Sequence, residues 1–83
     1  MVGSAAKKLL DQMRATSAGW SEQDFSRLFL GYGFDKKGGG GHTKYSHPRY
    51  PALLITVPRH RKLKNWVARE AVKLIEKLEA LGG

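Results

Sequence analysis

The stretch KKGGGGHTKYSHP, residues 36–48, gathers residue types that phosphate chemistry uses. Four glycines, Gly38 to Gly41, run into His42, and Lys44 follows two positions later. An imidazole titrates near neutrality, so His42 is suited to take the proton of an RNA 2′-hydroxyl or to protonate a leaving oxygen. An ammonium group at Lys44 would stabilise charge developing on a phosphorane. Glycines at 40 and 41 allow positive φ and let backbone N–H groups come close to a phosphate. The same residues also have a plainer reading, in which the glycines make only a turn and His42 is an ordinary surface histidine.

Other chemistries fit less well. A phosphate-binding loop of the G-x-x-x-x-G-K-[ST] type needs a helix after the glycines, whereas His42, Thr43 and a strand pattern follow here. No G-x-G-x-x-G register opens a helix, which argues against a dinucleotide site. His42, His47 and His60 do not share a helical H-x-x-x-H spacing, and no cysteine or intervening carboxylate joins them, so neither a metal site nor a cofactor is expected. His47, beside Pro48, reads as a turn residue. The nearest acid before His42 is Asp35, and no serine nucleophile elbow is present, so a hydrolase triad is not supported.

Charge points the same way as the glycine stretch. Lys plus Arg number 15 against 7 Asp plus Glu, a formal charge of +8. A pI near 10.1 is what a nucleic-acid-binding domain of this size shows. Phosphate neutralisation and counterion release would supply the affinity, although an acidic protein partner would feel the same field. The segment RHRKLK is the densest basic run, with Arg59, Arg61, Lys62 and Lys64 around His60. These cations oppose the dipole of the helix that follows, so their position favours a role in phosphate contact. Lys36 and Lys37 flank the glycines on the other side. No apolar run approaches the ~20 residues of a membrane span, no signal-peptide pattern opens the chain, and the lack of cysteine fits a reducing cytoplasm.

The elements that must position these residues follow from periodicity. SAAKKLLDQM predicts a short helix capped by Ser4, with Leu9, Leu10 and Met13 as its apolar stripe. A second helix follows Ser21, with Asp24 completing a weak capping box and Trp20 and Phe25 forming a hydrophobic staple. Its buried face is Phe25, Leu28, Phe29 and Tyr32, and Gly31 and Gly33 stop it. Residues 34–37 form a weak strand. Residues 42–47 alternate, with Thr43, Tyr45 and His47 on one face and His42, Lys44 and Ser46 on the other. PRYP makes a turn, and ALLITV, residues 52–57, is the strongest strand pattern, ended by Pro58. Residues 62–81 form the longest helix, with Leu63, Val67, Ala71, Leu74, Ile75, Leu78 and Leu81 on one arc and Trp66 at its basic border. The order α-α-β-β-β-α predicts an α+β two-layer sandwich, a three-stranded antiparallel sheet with helices on one face. The 83 residues make one domain with a thin core.

Taken in order, Gly33-Phe34, Gly40-Gly41-His42, His47-Pro48, Thr56-Val57-Pro58 with His60, and the series Lys64, Arg69, Ile75 resemble the HicA family of toxins from type II toxin–antitoxin systems. The resemblance covers residues 21–81 as a core, with residues 1–20 as an additional N-terminal helix and loop. It implies a double-stranded-RNA-binding-domain-like fold. It also implies a metal-independent endoribonuclease, an mRNA interferase cutting mRNA through His42, neutralised by a HicB-type antitoxin. One position departs from the family pattern: the usual serine before the histidine is Gly41. On this reading Lys36, Lys37, Gly40, Gly41, Lys44, Arg59, Arg61, Lys62 and Lys64 hold RNA. A non-catalytic RNA-binding module of the same fold and an interaction protein that docks an acidic partner are the two other readings of the same charge.

Overall fold

The computed structural model describes residues 4–58 and 65–82. Its elements run α1 (Ser4–Ala15), α2 (Glu22–Gly31), β1 (Asp35–Gly39), β2 (His42–Ser46), β3 (Leu54–Pro58) and α3 (Asn65–Ala80). This is the predicted α+β layout, with a three-stranded antiparallel sheet in the order β1-β2-β3. The basic run at Arg59, His60, Arg61, Lys62 and Lys64, together with Leu63, lies outside the described residues.

The helix α2 begins where the sequence signals it. Asp24 turns back so that its carboxylate accepts the Ser21 backbone N–H at 2.9 Å and the Ser21 hydroxyl at 3.0 Å. That satisfies a donor the first helical turn cannot use and places a negative charge at the positive end of the helix. The Trp20 indole N–H donates to the Thr16 carbonyl at 2.8 Å, so the loop before the helix is held as well. Phe25, Leu28, Phe29 and Tyr32 are all buried, as their spacing predicts. Each such side chain contributes roughly 1.5–3 kcal/mol by leaving water.

The two glycines at the end of α2 serve different ends. Gly33 takes φ 86° and lets the chain leave the helix left-handed. Gly31 is still helical, and a methyl group added there would overlap the Ala6 side chain of α1. Its role is therefore close helix approach rather than termination. That contact settles the face of α1: Ala6, Leu10 and Met13 are buried, while Leu9 is only partly covered. The N-terminal helix thus supplies three residues to the single core. It packs chiefly against α2 and α3, while α2 leans on β1 and α3 on β3.

The sheet meets the helices through Tyr45. Its ring stacks on Phe29 at 4.8 Å between centroids, and Phe34 meets Phe29 edge-on at 5.1 Å. The register pairs Lys36 with Tyr45, Gly38 with Thr43, Tyr45 with Ile55 and Thr43 with Val57 on the helix-facing side. Strand limits differ from expectation by at most two residues. β1 starts at Asp35 and takes in two glycines, and β3 starts at Leu54 because residues 47–53 are spent on the turn. In that turn the His47 N–H donates to the Leu53 carbonyl at 3.1 Å and the Leu53 N–H to the Tyr50 carbonyl at 2.8 Å. Along α3 the buried residues are Val67, Ala68, Ala71, Ile75 and Leu78. Leu74 is only half-buried and Leu81 stands 53% exposed, so the apolar arc is narrower than the wheel implies. Among the described residues no helix is long and apolar enough to cross a membrane.

Candidate nucleic-acid interface

The glycine run divides in two. Gly38 and Gly39 are strand residues opposite Thr43 and His42, and Gly40-Gly41 is the two-residue hairpin turn. Gly40 has φ 56° and Gly41 is not left-handed, the sign pattern of a type II′ turn with glycine at its first central position. Only Gly40 needs to be glycine on backbone grounds. A Cβ at Gly39 or Gly41 would meet nothing within 4 Å and would sit in ordinary φ space. The interior of the protein therefore makes no demand for bare backbone at these two positions, and their surface is open to an incoming group.

His42 is the first residue after that turn. Residues opposed in an antiparallel pair share a face, so one face carries three cross-strand rows. They are Gly39-His42-Pro58, Lys37-Lys44-Thr56 and Asp35-Ser46-Leu54. The helices lie on the other side, and His42, Lys37 and Lys44 are exposed. His42 and Lys44 stand two residues apart on one strand, about 7 Å. Lys37 and Lys44 face each other directly, and neither makes an ion pair within the described residues. Like charges opposed across strands destabilise a sheet by about 0.2–1 kcal/mol, so this pair is not there for the fold.

Lys36 is a different case. The register puts it on the helix side, where its ammonium donates to the Ser26 hydroxyl at 3.0 Å and lies 3.8 Å from the Glu22 carboxylate. Glu22 also accepts the Thr43 hydroxyl at 3.2 Å. Lys36 thus locks α2 to the sheet and does not share a surface with His42. Of the sequence candidates, the fold brings together Lys37, Gly40, Gly41, His42 and Lys44, and separates Lys36 from them. Arg59, Arg61, Lys62 and Lys64 fall outside the described residues.

His47 has a structural position. It is 8% exposed, accepts the Arg49 backbone N–H on Nδ1 at 3.2 Å, and packs edge-on against Phe34 and tilted against Tyr50. It braces the turn, as its place beside Pro48 suggests. Being five residues from His42 on one strand, it points to the opposite face, so the two imidazoles cannot meet one ion. Asp35 shares the His42 face but lies two rows away, too far to orient the ring. Among the described residues no side chain hydrogen-bonds the His42 imidazole.

Sequence reasoning missed one element of this surface. Trp66 is 48% exposed at the start of α3, beside Leu54 at 48%, and the two border a groove along the free edge of β3. The signal was the position of Trp66 on the basic border of the helix wheel.

Comparison with protein-family models, with curated proteins and with solved structures gives no match.

Proposed function

We propose that this chain is a small metal-independent endoribonuclease of the HicA toxin type, an mRNA interferase held in check by a HicB-type antitoxin. The observation that carries the reading is the outer sheet face. It combines a solvent-open glycine turn, an imidazole at its exit and an opposed lysine pair without carboxylate partners. Such a surface attracts the RNA backbone and offers one proton-transfer group beside it. The motif resemblance supplies the rest of the proposal, including the antitoxin partner and the cytoplasmic site of action.

In this reading the phosphodiester lies over Gly40-Gly41 with its non-bridging oxygens toward Lys44 and Lys37. His42 accepts the 2′-hydroxyl proton as the 2′-oxygen attacks phosphorus. The bond to the 5′-oxygen breaks on the opposite side of phosphorus, that leaving oxygen takes a proton from water, and the imidazolium later gives its own proton to solvent. The products are a 2′,3′-cyclic phosphate and a free 5′-hydroxyl. Lys44 offsets the charge that builds on the phosphorane. One histidine contributes on the order of 10²–10⁴-fold by proton transfer. Lys36 has no part in these steps.

A non-catalytic RNA-binding module is the second reading, favoured by the lack, among the described residues, of a side chain orienting the His42 ring. Incubating purified protein with RNA in the presence of chelator, beside its His42→Ala variant, decides between them. Cleavage that survives chelator and falls in the variant supports the enzyme. Unchanged cleavage by the variant removes His42 from the mechanism. Retained binding with no cleavage by either protein leaves the binding module.

A further inference from the structure

The groove between the free edge of β3 and α3 has a volume of about 410 Å³ and is lined by Leu54, Ile55, Thr56, Trp66, Glu70 and Leu74. Trp66, Glu70 and Leu74 are four residues apart along α3 and so make a single stripe facing β3. The volume lies within the roughly 300–1,000 Å³ of small-molecule sites. Trp66 shows about half its surface to solvent while its neighbours Val67 and Ala68 are buried. We propose that this groove receives an unstacked nucleobase of single-stranded RNA, with the Trp66 indole as its stacking platform. The proposal rests on the RNA reading of the outer sheet face and narrows its substrate class.

Three observations single out a base as the occupant. First, the groove continues the basic face. Thr56 lines the groove and is also the cross-strand partner of Lys44, which in turn opposes Lys37. Neighbouring strands are about 4.8 Å apart, so a strand with a phosphate on Lys44 reaches the groove with the next base. Second, the acidic residue Glu70 lines the groove, its carboxylate 4.0 Å from the Lys73 ammonium. It repels a phosphate there and accepts hydrogen bonds from the amino or imino groups of a base, as the Thr56 hydroxyl also can. Third, strand addition by a peptide is poorly served. The His47 N–H to Leu53 carbonyl bond sets the register, which turns Ile55 and Val57 toward β2 and leaves Leu54, Thr56 and Pro58 on the free edge. Pro58 has no N–H, so that edge offers two outward donors over five residues.

Duplex bases are already stacked and cannot enter, so the substrate class is single-stranded. The test uses a 2′-O-methyl RNA of about 12 nucleotides, which lacks the nucleophile and fits the usual site sizes. Its affinity is measured by fluorescence anisotropy over a salt series, alone and annealed to its complement. Trp66→Ala is expected to weaken single-strand binding roughly five- to a hundredfold, leave duplex binding unchanged and keep the salt slope. Trp66→Phe, which keeps a stacking ring, should recover most of the affinity. Quenching of the remaining indole by single-stranded RNA in a Trp20→Phe background reads the contact directly. If Trp66→Ala binds as wild type while Lys44→Ala is weakened, the base subsite is wrong and the RNA face stands. Equal loss on single strand and duplex also overturns the subsite. Disruption of a self-associated species by Trp66→Ala, with unchanged RNA affinity, overturns it in favour of a second copy on the groove. If wild-type protein binds neither RNA at low salt, the subsite and the RNA reading both fall.

Discussion

Two clusters of charge on this small domain are built in opposite ways. In the helix layer, Arg14 on α1 lies 3.0 Å from Asp11, 3.3 Å from Glu76 and 3.6 Å from Glu79. One cation meets three carboxylates, and two of them belong to α3, so the cluster staples the N-terminal helix to the C-terminal one. On the outer sheet face, Lys37 and Lys44 oppose each other beside His42, and none of the three has an ion-pair partner within the described residues. The first cluster spends its charge inside the molecule. The second leaves it for something outside.

The carboxylates make the contrast sharper. Asp11, Glu76 and Glu79 serve Arg14, Glu22 meets Lys36, Asp24 caps α2 and Glu70 approaches Lys73 at 4.0 Å. Only Asp35 is left on the basic face, two rows from His42. The excess of +8 is thus not spread evenly. Acid groups are gathered where they hold helices, and with Asp35 as the one acid among the described residues of the sheet's outer face, that face is left electropositive around His42.

The largest effect is expected at His42. His42→Ala should lower RNA cleavage by about 10²–10⁴-fold with an unchanged melting temperature, because the residue is exposed; a cleavage assay beside a thermal melt reads both. A shift in melting with cleavage intact would erase the division between the two clusters. Next is the other contact of the N-terminal helix, its close approach to α2 at Gly31. Gly31→Val should cost roughly 1–3 kcal/mol in denaturant unfolding, since its side chain has no room beside Ala6, and should leave RNA affinity per folded molecule unaltered.

Smaller effects separate the clusters by sign. Lys44→Ala should reduce the salt slope of RNA binding by about 0.7–1 and hold or slightly raise stability, since it relieves the opposed Lys37. Arg14→Ala should do the reverse. Stability should fall by up to about 1 kcal/mol, because these partners are all partly exposed, and RNA binding should not change. The last prediction concerns Tyr32, whose buried hydroxyl has no hydrogen-bond partner among the described residues. Burial, with Glu79 nearby, raises its pKa above the usual 10.0. The folded state therefore holds this proton more tightly than the unfolded chain. Its contribution is complete below pH 10 and is lost as pH climbs through the raised value. Tyr32→Phe should flatten that alkaline loss in a pH series of melts, with little cost at neutral pH.

Much of the fold was legible because local rules and tertiary packing agree. The Ser21–Asp24 cap, the Phe25-Leu28-Phe29-Tyr32 face and the alternation of residues 42–47 are short-range patterns that a sequence displays directly. Strand limits were less legible, because the turn at residues 47–53 uses His47 as a brace and shortens β3. Gly31 looked like a helix stop; only the approach of Ala6 from a helix some 25 residues earlier shows its use. In the candidate site, His42 and Lys44 were correctly placed on one face by the period of a strand. Lys36 was misgrouped with Lys37, because which of two adjacent lysines faces the helices depends on the register with Tyr45.

The sequence by itself determined the element order, the helix faces, the basic excess and the exit of His42 from a glycine turn. Those follow from residue type and spacing of 2.0 or 3.6, which act over a few positions. The tertiary structure decided which charges cancel. It sent Lys36 to Glu22 and Arg14 to Glu76 and Glu79, left Lys37 and Lys44 facing each other, and set Trp66 beside the free edge of β3. Ion pairing depends on distances between residues far apart in the chain, and those distances exist only once the sheet has its register and α1 has met α3.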